Sequence, residues 1–478
     1  MNRAWWGYRL WQLTCLPEVA AFHLGRLRPT QERLLSTYLS RQSRTLFGRR
    51  HCLSRTQSYS EFCERVPVST YEELLPYLQA PEGLSTDPVK IWEPTGGSSG
   101  GSKWIPWNGT LQTEFQRAVA VWIWHLLSQH PEVLRGRGYW QLTPKAELKA
   151  PSWVAEQRHG FERDSEYLGR LGRWLERSVL LIPPSGPHLW EQTIELLLSS
   201  PDLRLISCWS PSFLLVLKEK MEARVGRWAP SEWWPNLQLL SFWTQGPSAA
   251  YEPVVRELFP EVGIQPKGLL STEAVVTIPV GNHYPLAYRS HFFEFESGSG
   301  ILPAWKLETG QEVSVIVTTG SGLTRYRTGD RVRVTGFRKD LPCLEFLGRD
   351  GVSDHRGEKL TIPFLESLLE GLGGFVMLAF EENGYVLFTD DSQPVQLRRE
   401  LIVVLEQRLL ENFSYADCRQ LHQLQPLRGF LVTGDALAQY GRALKRMHGV
   451  EPATVKAQRF HPFQGWSREF DGRFLLPD

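Results

Sequence analysis

Glu93-Pro94-Thr95-Gly96-Gly97-Ser98-Ser99-Gly100-Gly101-Ser102-Lys103-Trp104-Ile105-Pro106 packs four glycines, three serines, a threonine and a lysine into one short loop. Glycine tolerates positive φ and lets the backbone approach a ligand closely, so successive N–H groups can turn inward around an anion. Thr95, Ser98 and Ser99 add hydroxyl donors beside Gly100 and Gly101, and Lys103 supplies a point charge. A phosphate cradle is therefore expected. It is not a Walker A loop: Gly96 and Gly101 have the right separation, but Ser102 stands where that motif needs its lysine. The plain alternative is a flexible glycine/serine turn.

The same stretch satisfies GxSxG at Gly96-Gly97-Ser98-Ser99-Gly100, which raises a serine hydrolase as a rival. A nucleophile elbow needs a buried strand just before the serine and a helix just after it. Here Glu93-Pro94-Thr95 precedes and an extended Lys103-Trp104-Ile105-Pro106 follows. The next helix is expected only at Asn108 or Thr110, with the apolar stripe Leu111, Phe115, Ala118, Val119, Trp122 and Leu126.

Composition bounds the rest. With 478 residues, 42% of them hydrophobic, the chain can bury a large core and should divide into at least two domains. The 53 basic and 52 acidic residues leave a net charge of +1, which asks for no nucleic acid. The six cysteines form no CxxC and no close pairing with histidine, so neither zinc nor a disulfide framework is expected, and a reducing, cytoplasmic setting fits. No segment approaches the ~20 apolar residues of a membrane span. The tryptophan-rich start, Met1 to Leu13, reads as a helix that docks on the domain rather than as an interfacial anchor. Neither an internal repeat nor a low-complexity tract is present.

Three distant segments join the loop. In Gly268-Leu269-Leu270-Ser271-Thr272-Glu273-Ala274 an apolar approach ends in hydroxyls and a carboxylate; Mg²⁺ wants carboxylate oxygen, although Ser-Thr-Glu is also an ordinary helix cap. In Leu323-Thr324-Arg325-Tyr326-Arg327-Thr328-Gly329-Asp330 the flanking valines read as paired strands that place Asp330 at the turn between them, where a carboxylate would accept two ribose hydroxyls. Leu344-Glu345-Phe346-Leu347-Gly348-Arg349-Asp350 leads into a glycine-bounded stretch ending Gly357-Glu358-Lys359, with helical periodicity from Phe364; a domain boundary belongs there. Beyond it, a hairpin is expected around Asn383-Gly384 and a helix from about Gln396 to Asn412.

Together TGGSSGGSKWIP, LLSTEA, TRYRTGD and FLGRD…GEK resemble the adenylate-forming superfamily, and more closely the GH3 family of acyl acid amido synthetases. The closer likeness rests on residues 292 to 360, where Phe292-Phe293-Glu294-Phe295, Gly322 to Asp330 and Leu344 to Lys359 match family segments. The resemblance implies an α/β fold: an N-terminal ATP- and acyl-binding domain of mixed sheets and helices over 1–353, and a smaller, mobile α+β domain over 354–478. It implies ATP and Mg²⁺ as cofactors, a carboxylic acid as substrate, an amine or amino acid as acceptor, and a monomer that contacts neither nucleic acid nor membrane.

The resemblance also assigns roles. Thr95, Ser98, Ser99, Gly100, Gly101 and Lys103 would cradle phosphates, Ser271 and Thr272 would contact the α-phosphate, and Glu273 would ligate Mg²⁺. Tyr326, Asp330 and Arg349 would hold the nucleoside, and Lys359 and Lys456 would serve separate half-reactions. Trp209, Phe213, Trp243 and Thr244 would line the acyl pocket. Gly96 replaces a hydroxyl usual in the family loop, and Leu269 or Leu270 replaces an aromatic that would pack near adenine. Transfer to coenzyme A and a catalytically silent protein of the same fold are the alternatives.

Overall fold

The computed structural model describes residues 3–95, 103–141, 150–161, 179–183, 188–392, 394–448, 459–461 and 464–475. The chain divides into two compact units, one holding Met1–Thr95 and Lys103–Asp350 and the other Gly351–Asp478.

The first unit opens with six helices, the last four of which start on a side-chain cap. They are α1 (Arg3–His23), α2 (Leu27–Gln42), α3 (Leu46–Arg50), α4 (Tyr59–Arg65), α5 (Tyr71–Leu78) and α6 (Gly109–Gln129). Ser58 with Glu61 and Thr70 with Glu73 form capping boxes on α4 and α5, and Asn108 caps α6 by accepting from the Leu111 N–H. The helix α1 buries Tyr8, Cys15, Val19 and Phe22 while Trp6, Leu10, Leu13 and Leu16 stay exposed. Between α5 and α6, β1 (Ile91–Pro94) and β2 (Trp104–Trp107) pair antiparallel, one on each side of the glycine-rich stretch in sequence.

A parallel sheet follows, ordered β4-β3-β5-β6-β7. Its strands are β3 (Arg137–Trp140), β4 (Leu180–Leu181), β5 (Leu203–Ser207), β6 (Leu239–Phe242) and β7 (Gly263–Pro266). Helices Ser212–Val225 and Glu252–Leu258 cross between successive strands, which leaves the carboxyl ends of β3, β5, β6 and β7 aligned on one edge.

An antiparallel sheet ordered β12-β11-β10-β8-β9 completes the unit, from β8 (Phe292–Ser297), β9 (Gly300–Pro303), β10 (Glu312–Thr318), β11 (Tyr326–Arg338) and β12 (Leu341–Arg349). Along β11 the alternation is strict: Tyr326, Thr328, Asp330, Val332 and Val334 are buried, while Arg327, Arg331 and Arg333 are exposed and pair with Glu296 and Glu312.

The second unit is α+β. The strands β13 (Val352–Ser353) and β14 (Leu360–Thr361) pair, and a mixed sheet ordered β18-β15-β16-β17-β19 is built from β15 (Val376–Glu381), β16 (Gly384–Thr389), β17 (Arg428–Val432), β18 (Phe460–His461) and β19 (Gly472–Phe474). The expected hairpin is β15–β16, but its two-residue loop is Glu382-Asn383, because Glu381 pairs with Gly384. Glu382 itself takes the left-handed turn, and a Cβ on Gly384 would come within 3.0 Å of the Gln425 carbonyl. The leucine-rich helix runs Val395–Leu410.

The loop between β13 and β14 is organised by one buried carboxylate. Glu358 accepts from the His355 and Arg356 N–H groups at 2.9 and 2.7 Å and from the Tyr385 hydroxyl at 2.8 Å. Burial, reinforced by the charge of Asp354, pushes Glu358 up to about 7. Three residues away in the same loop, His355 stacks on Phe380 at 3.9 Å, and burial with the Arg356 charge pulls it down to about 4. The two groups act on stability in opposite senses. Glu358 stabilises fully below its ordinary 4.5 and loses that contribution as pH rises through about 7. His355 contributes fully above its ordinary 6.5 and loses that contribution as pH falls through about 4. Thermal melts of Glu358→Gln and His355→Phe between pH 4 and 7 should therefore diverge from wild type with opposite slopes: the Tm difference rises with pH for Glu358→Gln and falls for His355→Phe. Parallel curves for both variants would remove the proposed titrations.

Candidate functional site

The floor of the site is a bulge. Between Ser314–Arg331 and Ile316–Arg327 the register of β10 and β11 slips, and between Arg331–Gly348 and Val332–Phe346 that of β11 and β12 slips as well. Gly329 and Gly348, at φ +83 and +147, absorb the distortion. Asp330 therefore lies inside a strand, on a bulge, and not at a hairpin turn; the turn between the valine-rich strands is Thr319–Arg325. The bulge leaves Asp330 3% exposed and in register with Arg349. The Arg349 guanidinium reaches Asp330 at 3.0 Å and donates to the Thr328 carbonyl at 2.7 Å, so the two predicted nucleoside residues form one ion-paired unit.

Tyr326, at the start of the same strand, is fully buried, and its hydroxyl has no hydrogen-bond partner among the described residues. Burial and then the charge of Glu273 hold its proton far above the usual tyrosine range, which sets Tyr326 and Glu273 as electrostatic neighbours. The Lys103 ammonium stands 6.0 Å from the Tyr326 ring and 5.8 Å from that of Tyr71. Tyr71 fixes β2 by accepting from the Trp104 N–H at 2.9 Å. The Thr95 N–H donates to the Lys103 carbonyl at 2.8 Å and closes the hairpin below the glycine loop. Ser98, Ser99, Gly100 and Gly101 lie outside the described residues. The strand β2, not a helix, leads away from the loop, which is the wrong context for a nucleophile elbow.

Ser271, Thr272 and Glu273 do not cap a helix. They form a tight turn closed by the Ser271 N–H on the Ala274 carbonyl at 2.9 Å and by pairing of Leu270 with Val275. Ser271 and Thr272 keep partial exposure, while Glu273 is only 4% exposed and takes no hydrogen bond or ion pair from a described residue. The approach to the turn is tightly packed: a Cβ on Gly268 would lie 2.1 Å from the Thr277 carbonyl oxygen. Its exit is anchored by buried His291, whose Nε2 accepts from the Val275 N–H at 3.1 Å and whose Nδ1 therefore donates to Glu114 at 3.0 Å.

Beneath Tyr326, the sequence reading passed over the residue that holds the strand start. Arg325 sits at φ +46, and its guanidinium binds both oxygens of buried Glu294 at 2.9 and 3.0 Å while donating to the Val66 carbonyl at 2.6 Å. A carboxylate on the inward phase of Phe292-Phe293-Glu294-Phe295 was the available signal, since a buried acid demands a partner.

Trp209, Trp243 and Thr244 come together at the carboxyl edge of the parallel sheet, with Trp209 and Trp243 rings 5.3 Å apart and Thr244 bonded to the Tyr284 hydroxyl at 3.2 Å. Phe213 does not join them. It is stacked between Tyr139 and Trp190 in the core behind the sheet. In the second unit, Lys359 sits at φ +45 beside Glu358, half-buried. Lys456 lies outside the described residues. Among the described residues, no three His, Cys, Asp or Glu side chains cluster as a metal site, and no helix is long and apolar enough to cross a membrane.

Comparison with known proteins puts this arrangement in context. The GH3 family N-terminal domain matches residues 24–169 and the GH3 family central domain matches residues 284–349. Indole-3-acetic acid-amido synthetase GH3.8 of Oryza sativa subsp. indica is 24% identical over 404 residues, covering 67% of this chain and 66% of the rice protein. Indole-3-acetic acid-amido synthetase GH3.2 of Arabidopsis thaliana is 22% identical over 414 residues, covering 67% and 74%. Among solved structures, the AtGH3.15 acyl acid amido synthetase in complex with 2,4-DB superposes with a TM-score of 0.63 at 18% identity, over 94% of both chains, so the fold is the same. The segments that carry Lys103, Tyr326, Asp330 and Arg349 thus fall within the matches to the GH3 N-terminal and central domains, and over those segments the chain is similar to the GH3 family.

Proposed function

We propose that this protein adenylates a carboxylic acid with ATP and passes the acyl group to an amine, an amino acid, to form an amide. One observation carries the reading: Lys103, the unpartnered Tyr326 hydroxyl, the buried Glu273 carboxylate and the Asp330–Arg349 pair are built from four distant segments onto one strand and its neighbours. The names of the plant relatives and of the AtGH3.15 structure support the same chemistry.

A carboxylate is a poor electrophile, so its oxygen first attacks the α-phosphorus of ATP; pyrophosphate leaves and an acyl adenylate forms. Negative charge grows on the phosphate oxygens in that displacement, and fixed donors aimed at it supply most of the rate gain. In this reading Lys103 and the Ser271 and Thr272 hydroxyls serve as such donors, and the N–H groups of the glycine loop are assigned to join them. Asp330 accepts the ribose hydroxyls, held in place by Arg349. The amine nitrogen then attacks the adenylate carbonyl, loses a proton, and AMP leaves.

The donor set fits Mg²⁺. Glu273 offers a hard carboxylate with no competing described partner, and Mg²⁺ needs only one or two carboxylates when substrate phosphates and water complete its shell. Bound there, the ion would neutralise phosphate charge. Lys359 is assigned to the adenylation step and Lys456 to amide formation.

The test is pyrophosphate exchange into ATP across a carboxylic acid library, followed by addition of amino acids or coenzyme A. Acid-dependent exchange with amide product supports the reading; thioester product redirects the second step, and absence of both exchange and ATP binding overturns it. Asp330→Asn should raise the KM for ATP by about 10- to 100-fold, as loss of charged hydrogen bonds does, whereas Glu273→Gln should mainly raise the Mg²⁺ needed for half-maximal exchange. Equal melting-temperature losses without either kinetic change would return both residues to structural roles. Lys359→Ala should slow exchange by roughly 10²- to 10³-fold, while Lys456→Ala should spare exchange more than amide formation from supplied adenylate. The reverse pattern would exchange the two assignments.

A further inference from the structure

Both faces of α1 are apolar, and only one of them is covered. On the inner side Tyr8 packs with Ile123, Leu126 and Leu127 of α6, while Cys15, Val19 and Phe22 join the main core of the unit. Polar ties lock that side. Gln12 donates to the Ser128 hydroxyl at 2.7 Å, the Tyr288 hydroxyl donates to the Ala21 and Phe22 carbonyls at 3.1 and 3.0 Å, and Glu18 pairs with Arg289. The helix cannot roll its other face inward without breaking them.

On the outer side Trp6, Leu10, Leu13, Pro17 and Ala20 recur at spacings of four, three, four and three residues, so they line one stripe of a 3.6-residue helix. All five are exposed, Trp6 and Leu13 at 58% each, and Leu24, at 61%, prolongs the stripe past the helix end. Leu16, also exposed, widens it. A helix apolar on every side belongs in a protein interior or against lipid, and among the described residues α1 has protein on one side alone. It is not apolar enough to cross a membrane, so a stripe of this kind suits a helix lying in the plane of an interface.

Charge and area decide what covers it. From Met1 to Pro17 the chain carries Arg3 and Arg9 and no acidic residue, and Glu18 is spent on Arg289. Arg9 is exposed beside the stripe, its guanidinium 5.7 Å from the Trp5 ring. At the other end Arg26 and Lys339 are exposed, and Lys339 donates to the His23 carbonyl at 2.6 Å. Against these stands Asp340, next to Lys339 in the β11–β12 turn, so the balance along the stripe is basic. From Trp6 to Ala20 the stripe is about 21 Å long and about 10 Å wide, or roughly 200 Å². A stable dimer buries about 800 Å² on each partner, so this face alone is too small to hold a second copy, which would also bring arginines and no acid to meet it. A lipid surface has no shape to match: anionic headgroups meet the basic groups, and tryptophan settles at the headgroup level.

We propose that the outer face of α1 seats this protein on a membrane surface that carries anionic lipid, with the helix in the plane of the interface. Docking of α1 on the domain, expected from the sequence, uses the inner face and leaves the outer one for this role. Membrane contact thus replaces the expected absence of it, and it requires neither ATP nor an acid substrate.

The test is flotation of the full chain with phosphatidylcholine vesicles, with and without about 30% phosphatidylserine. Wild type should bind the anionic vesicles at least about tenfold more tightly than the neutral ones, and added salt should release it. Leu10→Ser combined with Leu13→Ser should weaken that binding by at least about tenfold, because both side chains leave the interface, while the exposed positions keep the melting temperature unchanged. Flotation that is absent, insensitive to lipid charge or undiminished in the double variant overturns the proposal. So does a lipid-free dimer, seen by light scattering, that the double variant dissociates, for then a second copy covers the stripe. The wild-type comparison of the two vesicle types needs no variant, so a poorly folding double variant leaves the test intact.

Discussion

The bidentate pair of Arg325 with Glu294 is the constraint on which the first unit turns. It joins the carbonyls of Cys63 and Val66 at the end of α4, the inward face of β8 and the last residue before β11. Both side chains are buried, so neither tolerates loss of the other: a stranded buried charge costs about 3 to 5 kcal/mol. Arg325 also accepts a left-handed backbone, which a non-glycine residue adopts only when its surroundings enforce it. The strand that leaves it begins with Tyr326 and reaches Asp330 four residues later. The nucleotide-side groups thus inherit their positions from an ion pair that touches no ligand.

A second constraint comes from the other end of the site. His291 joins the exit of the Ser271–Glu273 turn to Glu114 on α6, and Glu114 also takes the Tyr38 hydroxyl at 2.7 Å and the Gly320 N–H at 3.0 Å. The turn, helix α6 and the β10–β11 connection are thereby fixed to one another. Such a shared buried acceptor favours correlated placement over independent loops, because displacing any one member leaves the others with unsatisfied groups.

Much of this was legible in the chain itself. The Asn108 cap and the strand valines each follow from local rules, and TRYRTGD with LLSTEA marks the resemblance to the family. What failed was non-local. The place of Asp330 depends on two bulges, and a bulge is set by the register of partner strands, which no single segment encodes. Ser-Thr-Glu reads as a cap until Val275 pairs back on Leu270 and denies it a helix. Phe213 and Trp209 are close in sequence but fall on opposite sides of a sheet, because the chain turns into a helix at Ser212.

The exposed face of the antiparallel sheet has its own consequence. Arg327, Arg331 and Arg333 on β11 face Glu296, Glu312 and Glu345 on the flanking strands. Surface pairs of this kind add little to stability. Their arrangement instead acts as an address for strand assembly, since a one-residue slip would drive three guanidinium groups into the interior and expose Tyr326, Val332 and Val334. A mispaired intermediate would be rejected by charge before side-chain packing could test it.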